Sequence, residues 1–116
     1  EILRCLVGSE MCIRDRSKVP EAVKELLSRE QVPCGDIRYY LLHQANERII
    51  RSAARRLGED IARFPMNMDR YGNTSSASLL ILLDEVKRSG ELQRGDKLVL
   101  AGFGGGLTYG ASLIEY

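Results

Sequence analysis

The chain has 116 residues, of which 44% are hydrophobic and 28% charged, a composition that fits one small globular domain with a single core and excludes a disordered tail or a collagen-like repeat. Its longest uninterrupted apolar run, residues 79–83, is far short of the ~20 residues needed to cross a bilayer, so no membrane association is expected. A net charge of +1 argues against a nucleic-acid binder that works by bulk electrostatics, although Arg supplies thirteen of the seventeen cations and leaves room for a local basic patch.

Cys5, Cys12 and Cys34 are too few and too scattered for a disulfide framework. With His43 as the single histidine, no metal-ligand spacing arises, and no metal is expected. The first residues are too charged and too short an apolar run for a secretory signal, so a reducing cytoplasm is the default setting. The chain starts at Glu1 with no Met and is expected to be a piece of something longer. Residues 1–16 have no sustained helical or strand period, resemble translated sequencing-adapter read-through, and are set apart as an artefactual or non-native leader. Residues 17–116 are expected to form the domain.

Ser17 can cap a first helix, with Pro20 and Glu21 in its first turn and Val19, Val23, Leu26 and Leu27 on one face. Pro33 and Gly35 are expected to end the run. Residues 39–42, Tyr-Tyr-Leu-Leu, read as a buried strand that leads straight into His43. Asn46 is a good N-cap for a helix that ends near Leu57 and Gly58. Residues 63–70 read as irregular, with a short strand at 65–68. Residues 71–76 are turn and capping chemistry, and a second helix is predicted from about Ser75 to Arg88, stopping at Gly90. A strand at 97–103, a glycine turn at 104–106 and a strand at 107–115 close the chain. The order α, β, α, loop, α, β, β predicts an α/β fold whose mixed sheet ends in an antiparallel hairpin.

The two later helices differ in character. In the helix at 47–57, Ile49, Ile50, Ala53, Ala54 and Leu57 share one face, and Arg48, Arg51, Arg55 and Arg56 lie on or near the other, a local charge of +3 with Glu47. This reads either as a solvated face or as a docking stripe for an anionic partner, for which the forked guanidinium is suited. The helix at 75–88 is apolar around most of its circumference and is therefore expected to be a buried central helix, with Asn73, Thr74, Ser75 and Ser76 gathering polar groups at its start.

Taken singly, the candidate site residues have simple structural readings: His43 as a core histidine, Asn73 as a helix cap, and the glycines at 102–106 as a tight hairpin. A dinucleotide loop is excluded because a strand, not a helix, follows those glycines. Three motifs in order change the reading: His43-Gln44-Ala45-Asn46, then Tyr71-Gly72-Asn73-Thr74-Ser75-Ser76-Ala77-Ser78 with Asn73 thirty residues after His43, then Gly102-Phe103-Gly104-Gly105-Gly106-Leu107-Thr108-Tyr109-Gly110-Ala111. Together they resemble the C-terminal half-domain of β-ketoacyl-acyl-carrier-protein synthase III, over about residues 17–116.

The resemblance implies the C-terminal half of a thiolase-like fold layered αβαβα. It implies an acyltransferase that starts fatty-acid synthesis by condensing acyl-CoA with malonyl-acyl carrier protein and releasing CO2, with no cofactor and as a homodimer. His43 and Asn73 match the family's decarboxylation pair. Phe103 and Gly104 match residues lining the site, and Gly105 matches backbone that helps form an oxyanion hole. Gln44 and Asn46 match the motif that holds the strand end and lines the pocket. Arg48, with Arg51, Arg55 and Arg56 beside it, matches the surface that docks the acidic carrier protein. The family's nucleophilic Cys lies in an N-terminal half that this chain lacks, and Cys34, nine residues before His43 in a Pro-Cys-Gly-Asp turn, does not match its context. The chain alone is therefore expected to be inactive. Two other readings stand beside this one: another thiolase-superfamily condensing enzyme of polyketide or secondary-metabolite type, and a non-catalytic module that binds acyl carrier protein through the Arg stripe.

Overall fold

The structure is a computed structural model, and it describes residues 18–44, 46–74, 77–104 and 108–116. Helix α1 occupies residues 18–29 of this set; the expected cap at Ser17 lies outside the described residues. The helix stops before Pro33, because Gln31 turns into the left-handed region at φ 56° and Val32 N–H donates back to Leu27 O at 2.9 Å, a Schellman-type closure made without glycine.

Strand β1 (Ile37–Leu42) starts two residues earlier than the apolar run suggests. Its register shifts between Ile37 and Tyr39, and the exposed Arg38 lays its guanidinium over the Tyr39 ring at 5.1 Å. That charged side chain hides the start of the strand in the sequence. Helix α2 (Glu47–Leu57) has the predicted ends: Asn46 Oδ1 accepts from Arg48 N–H at 2.8 Å, and Gly58 takes φ 69°.

The predicted strand at 65–68 does not form. Pro65 has no N–H to offer a ladder, and Asn67 spends its own N–H on the Gln44 side chain at 3.0 Å. Its carbonyl then receives Arg70 and Tyr71 N–H, starting the short helix α3 (Met68–Tyr71). Helix α4 runs over Ser78–Arg88, and the predicted earlier start at Ser75 lies outside the described residues.

Strands β2 (Lys97–Gly104) and β3 (Thr108–Glu115) complete a three-stranded sheet of order β1-β2-β3. β1 and β2 are parallel, from Ile37 opposite Lys97 to Leu42 opposite Ala101. β2 and β3 form the predicted antiparallel hairpin, from Lys97 opposite Glu115 to Gly104 opposite Thr108. The α/β mixed sheet expected from the sequence is thus observed.

Alternation along β1 sorts its side chains between two cores. Tyr40 and Leu42 pack with α1 and α2, where Val19, Val23, Ile50 and Ala53 are buried and Phe64 stacks on Tyr40 at 4.7 Å. Tyr39 and Leu41 pack on the other face with Leu82 and Val86 of α4 and with Leu98. A strand covered on both sides is apolar at nearly every position, which is the pattern that marked residues 39–42. Among the described residues α4 is covered along one stripe: Ser78, Leu82 and Val86 are buried, while Leu80 is 67% exposed. The all-round burial expected of this helix therefore applies to that stripe, where the described residues of the sheet meet it. Among the described residues no helix is long and apolar enough to cross a membrane.

The Asn46 cap satisfies an N–H that the helix itself leaves unpaired. Asn46→Ala should lower the unfolding free energy by about 1 kcal/mol and Asn46→Gly by only a few tenths. Urea titration of the two variants checks this, and equal losses would mean that the cap bond contributes nothing.

Candidate functional site

The site is built where β1 gives out. His43 follows the last strand residue, yet its N–H still donates to Ala101 O at 3.0 Å, so its backbone stays in register beside β2. Its ring is held from two directions. Nδ1 lies 2.6 Å from Ser78 Oγ at the start of α4. Phe103 of β2 meets the ring edge-on, with centroids 5.3 Å apart and planes at 79°. Gly102 lies between them: a Cβ there would stand 3.9 Å from His43 Cβ and 3.6 Å from Leu79 Cδ1. β1, β2 and α4 thus converge on the imidazole.

Gln44 fixes the turn that follows. Its side chain is fully buried. Nε2–H donates to Leu42 O at 2.8 Å, Oε1 accepts Asn67 N–H at 3.0 Å, and the Gln44 N–H reaches Ser78 Oγ at 3.4 Å. One residue therefore ties the strand end to the segment before α3 and to the first turn of α4. Asn67 is itself buried, and its Nδ2 has no hydrogen-bond partner among the described residues. Gln44 thus engages backbone through both ends of its amide, and Asn46 uses its amide oxygen to cap α2.

Asn73 is exposed and directly follows Gly72, which takes φ 66°. Ser78, five residues on at the start of α4, contacts His43 through its hydroxyl. Gly104 ends β2 opposite Thr108; Gly105 lies outside the described residues. Arg48, Arg51, Arg55 and Arg56 are all exposed along α2, opposite the buried Ile49, Ile50, Ala53, Ala54 and Leu57. Arg51 is paired with Glu47 at 2.8 Å, which trims the charge of the stripe at one point. A cavity of about 510 Å³ lies away from His43, between α4 and the 61–66 segment, with Tyr39, Met66, Arg70, Leu82 and Glu91 in its wall.

Burial pushes the His43 pKa below its ordinary value of 6.5, because the low-dielectric surroundings disfavour the imidazolium. At neutral pH the ring is uncharged and carries one N–H. A neutral imidazole can donate one hydrogen bond and accept another without moving net charge into the site. Among the described residues no group of three or more His, Cys, Asp or Glu could hold a metal ion.

Ser78 and the Gln44–Asn67 link are parts of the site that the motifs did not single out. A signal for Ser78 was present: it stands at the head of the four-residue steps to Leu82 and Val86, which places it on the buried stripe of α4. No comparable periodicity marks Asn67, whose role depends on a backbone N–H.

Residues 27–116 match the family described as 3-Oxoacyl-[acyl-carrier-protein (ACP)] synthase III C terminal. The chain is 51% identical over 95 residues to a beta-ketoacyl-[acyl-carrier-protein] synthase III of Clostridium kluyveri, a match covering 82% of this chain and 29% of the relative. A protein of the same name from Desulfitobacterium hafniense is 45% identical over 111 residues, 96% of this chain and 34% of the relative, so that match takes in part of residues 1–16. The crystal structure of 3-oxoacyl-[acyl-carrier-protein] synthase III from Aquifex aeolicus VF5 superposes with a TM-score of 0.91 at 36% identity, over 94% of this chain and 35% of that one. The chain thus spans about a third of the length of the relatives it matches.

The lowered His43 pKa has a consequence for stability. Between the folded-state pKa and 6.5 the unfolded chain binds a proton that the folded chain refuses, so stability falls as pH drops through this window and is regained above 6.5. Denaturant midpoints at pH 5 to 8 should show this slope, and His43→Asn should flatten it. An unchanged slope in the variant would remove His43 as its source.

Proposed function

Because the chain belongs to the 3-oxoacyl-[acyl-carrier-protein] synthase III family through its C-terminal part, we propose that it supplies the decarboxylation half of an acyltransferase active site that condenses acyl-CoA with malonyl-acyl carrier protein. The observation that carries this reading is the His43 imidazole held between Ser78 and Phe103, at the junction of the three motifs.

The chemistry follows from the residue types. The acyl group is first carried on a Cys thiolate in a part of the enzyme beyond this chain. The malonyl thioester then loses CO2: the bond to the carboxylate breaks, and its electron pair moves into the enolate, leaving negative charge on the thioester oxygen. The His43 Nε2–H and the Asn73 Nδ2–H2 are the two donors that stabilise this oxygen, and neither needs a net charge to do so. The enolate carbon attacks the acyl carbonyl, the new C–C bond forms, and the thiolate leaves. By the family resemblance, the backbone of Gly105 holds the oxyanion of that second step and Gly104 lines the site. Phe103 excludes water beside the imidazole, and Gln44 and Asn46 keep the strand end and the start of α2 in place behind it. These steps require no outside electron donor or acceptor, and no cofactor enters them.

The exposed guanidinium groups of Arg48, Arg55 and Arg56, with Arg51, form the docking stripe for the acidic carrier protein. The complete enzyme is read as a cytoplasmic homodimer, in keeping with its acyl-CoA and carrier-protein substrates. Cys34 is not the nucleophile in this reading. It sits in the 3-10 turn Cys34–Asp36, whose carbonyl groups accept from Tyr40 and Arg63. The names of the curated relatives favour the synthase III reading over a polyketide-type enzyme or a non-catalytic binding module.

A chimera tests this, with the matched 95 residues replacing the corresponding segment of the Clostridium kluyveri protein. His43→Ala or Asn73→Ala in the chimera should each cut malonyl decarboxylation by about 10²–10³ while leaving Cys acylation measurable. Abolished acylation with intact decarboxylation would reverse the assignment. Arg48→Glu should weaken use of the carrier protein more than use of acyl-CoA, and the gap should narrow as salt is raised. Equal effects on both substrates would remove the docking role.

A further inference from the structure

Ser78 is buried to 1% exposure, and its hydroxyl meets two groups of the strand end: His43 Nδ1 at 2.6 Å and the Gln44 N–H at 3.4 Å. A backbone N–H can only donate, so toward Gln44 the Ser78 oxygen accepts. A hydroxyl has a single hydrogen to place elsewhere. The 2.6 Å contact is short, and a hydroxyl whose oxygen accepts from the Gln44 N–H still has its hydrogen available for the Nδ1 lone pair. We propose that Ser78 is a positioning residue that locks His43 as the tautomer protonated on Nε2.

The inference deepens the proposed function and rests on it only for its catalytic consequence. If Nδ1 carried the proton, Nε2 would present a lone pair and would repel a developing oxyanion. Ser78 makes the imidazole a donor on the side away from α4. It does so from the first turn of a helix whose next buried residues, Leu82 and Val86, hold it against the sheet. Burial of the hydroxyl keeps solvent from competing for Nδ1, and partial burial of the ring favours its neutral form, so that the choice of tautomer matters at working pH.

His43 is the only histidine in the chain, so long-range 1H–15N NMR of the full chain reads this tautomer without ambiguity. The wild-type spectrum should show the proton on Nε2. Ser78→Ala, which has nothing to donate, should raise the population protonated on Nδ1, whereas Ser78→Thr, which keeps a hydroxyl, should retain the wild-type tautomer. A proton on Nδ1 in the wild-type chain, or an unchanged tautomer in Ser78→Ala, overturns the proposal. If Ser78→Ala does not fold, the wild-type and Ser78→Thr spectra decide it alone, since a proton on Nδ1 in either is contrary to the proposal. In the chimera, Ser78→Ala should lower decarboxylation at least about tenfold, short of the roughly 10²–10³ lost with the donor itself, with acylation unchanged. The two readings fail separately. Normal decarboxylation in His43→Ala with the expected tautomer in the wild type would end the functional reading and leave the role of Ser78 standing.

Discussion

The 2.6 Å contact between His43 Nδ1 and Ser78 Oγ joins the end of a strand covered on both faces to the first turn of a helix thirty-five residues further along the chain. Both partners are placed by packing. β1 is clamped between two cores, and α4 is pressed onto the sheet through Leu82 and Val86. The hydrogen bond therefore joins elements already brought together by burial, and what it adds is orientation. An imidazole free to turn would spread its one N–H over many directions, whereas one braced by a hydroxyl on one side and the Phe103 edge on another presents it in a single direction.

Gln44 carries the same constraint into the loops. With its side chain bonded to Leu42 and Asn67 and its N–H directed at Ser78, it ties the strand end, the segment before α3 and the start of α4 into one unit. Gly72, next to Asn73, closes α3 by donating its N–H to Met68 O. The junction of strand end, loop and helix around the imidazole thus follows from a few buried polar contacts laid over an apolar frame. The exposed side of α4, with Leu80 largely in solvent, belongs to the same picture, since the chain spans about a third of its relatives' length.

Much of this was legible before any coordinates. The α2 caps follow from Asn46 and Gly58, because a side-chain acceptor and a left-handed residue are local requirements that only a few residue types meet. β1 follows from the apolar run at 39–42, and the closing hairpin from two strand-prone stretches on either side of the glycines at 104–106. What was not legible depends on partners distant in sequence. The first two residues of β1 were hidden by Arg38, which an irregular register turns outward. The segment at 65–68 looked extended in isolation, but Asn67 gives its N–H to Gln44 and begins a helical turn. The all-round apolar helix α4 suggested burial on every side, and among the described residues it is covered along one stripe. His43 and Phe103, which meet in the structure, were marked by the family motifs, and Ser78 by its place on the buried stripe of α4, whereas Asn67 emerges only when strand and loop are brought together.

The central claim is that His43 and Asn73 act as a pair of neutral donors on one thioester oxygen. A crystal structure of the chimera bound to a non-hydrolysable malonyl thioester analogue tests it most directly. The account predicts that the thioester carbonyl oxygen lies about 2.7–3.1 Å from both His43 Nε2 and Asn73 Nδ2. An oxygen held by other groups, with the Asn73 amide turned away from the imidazole, would contradict it.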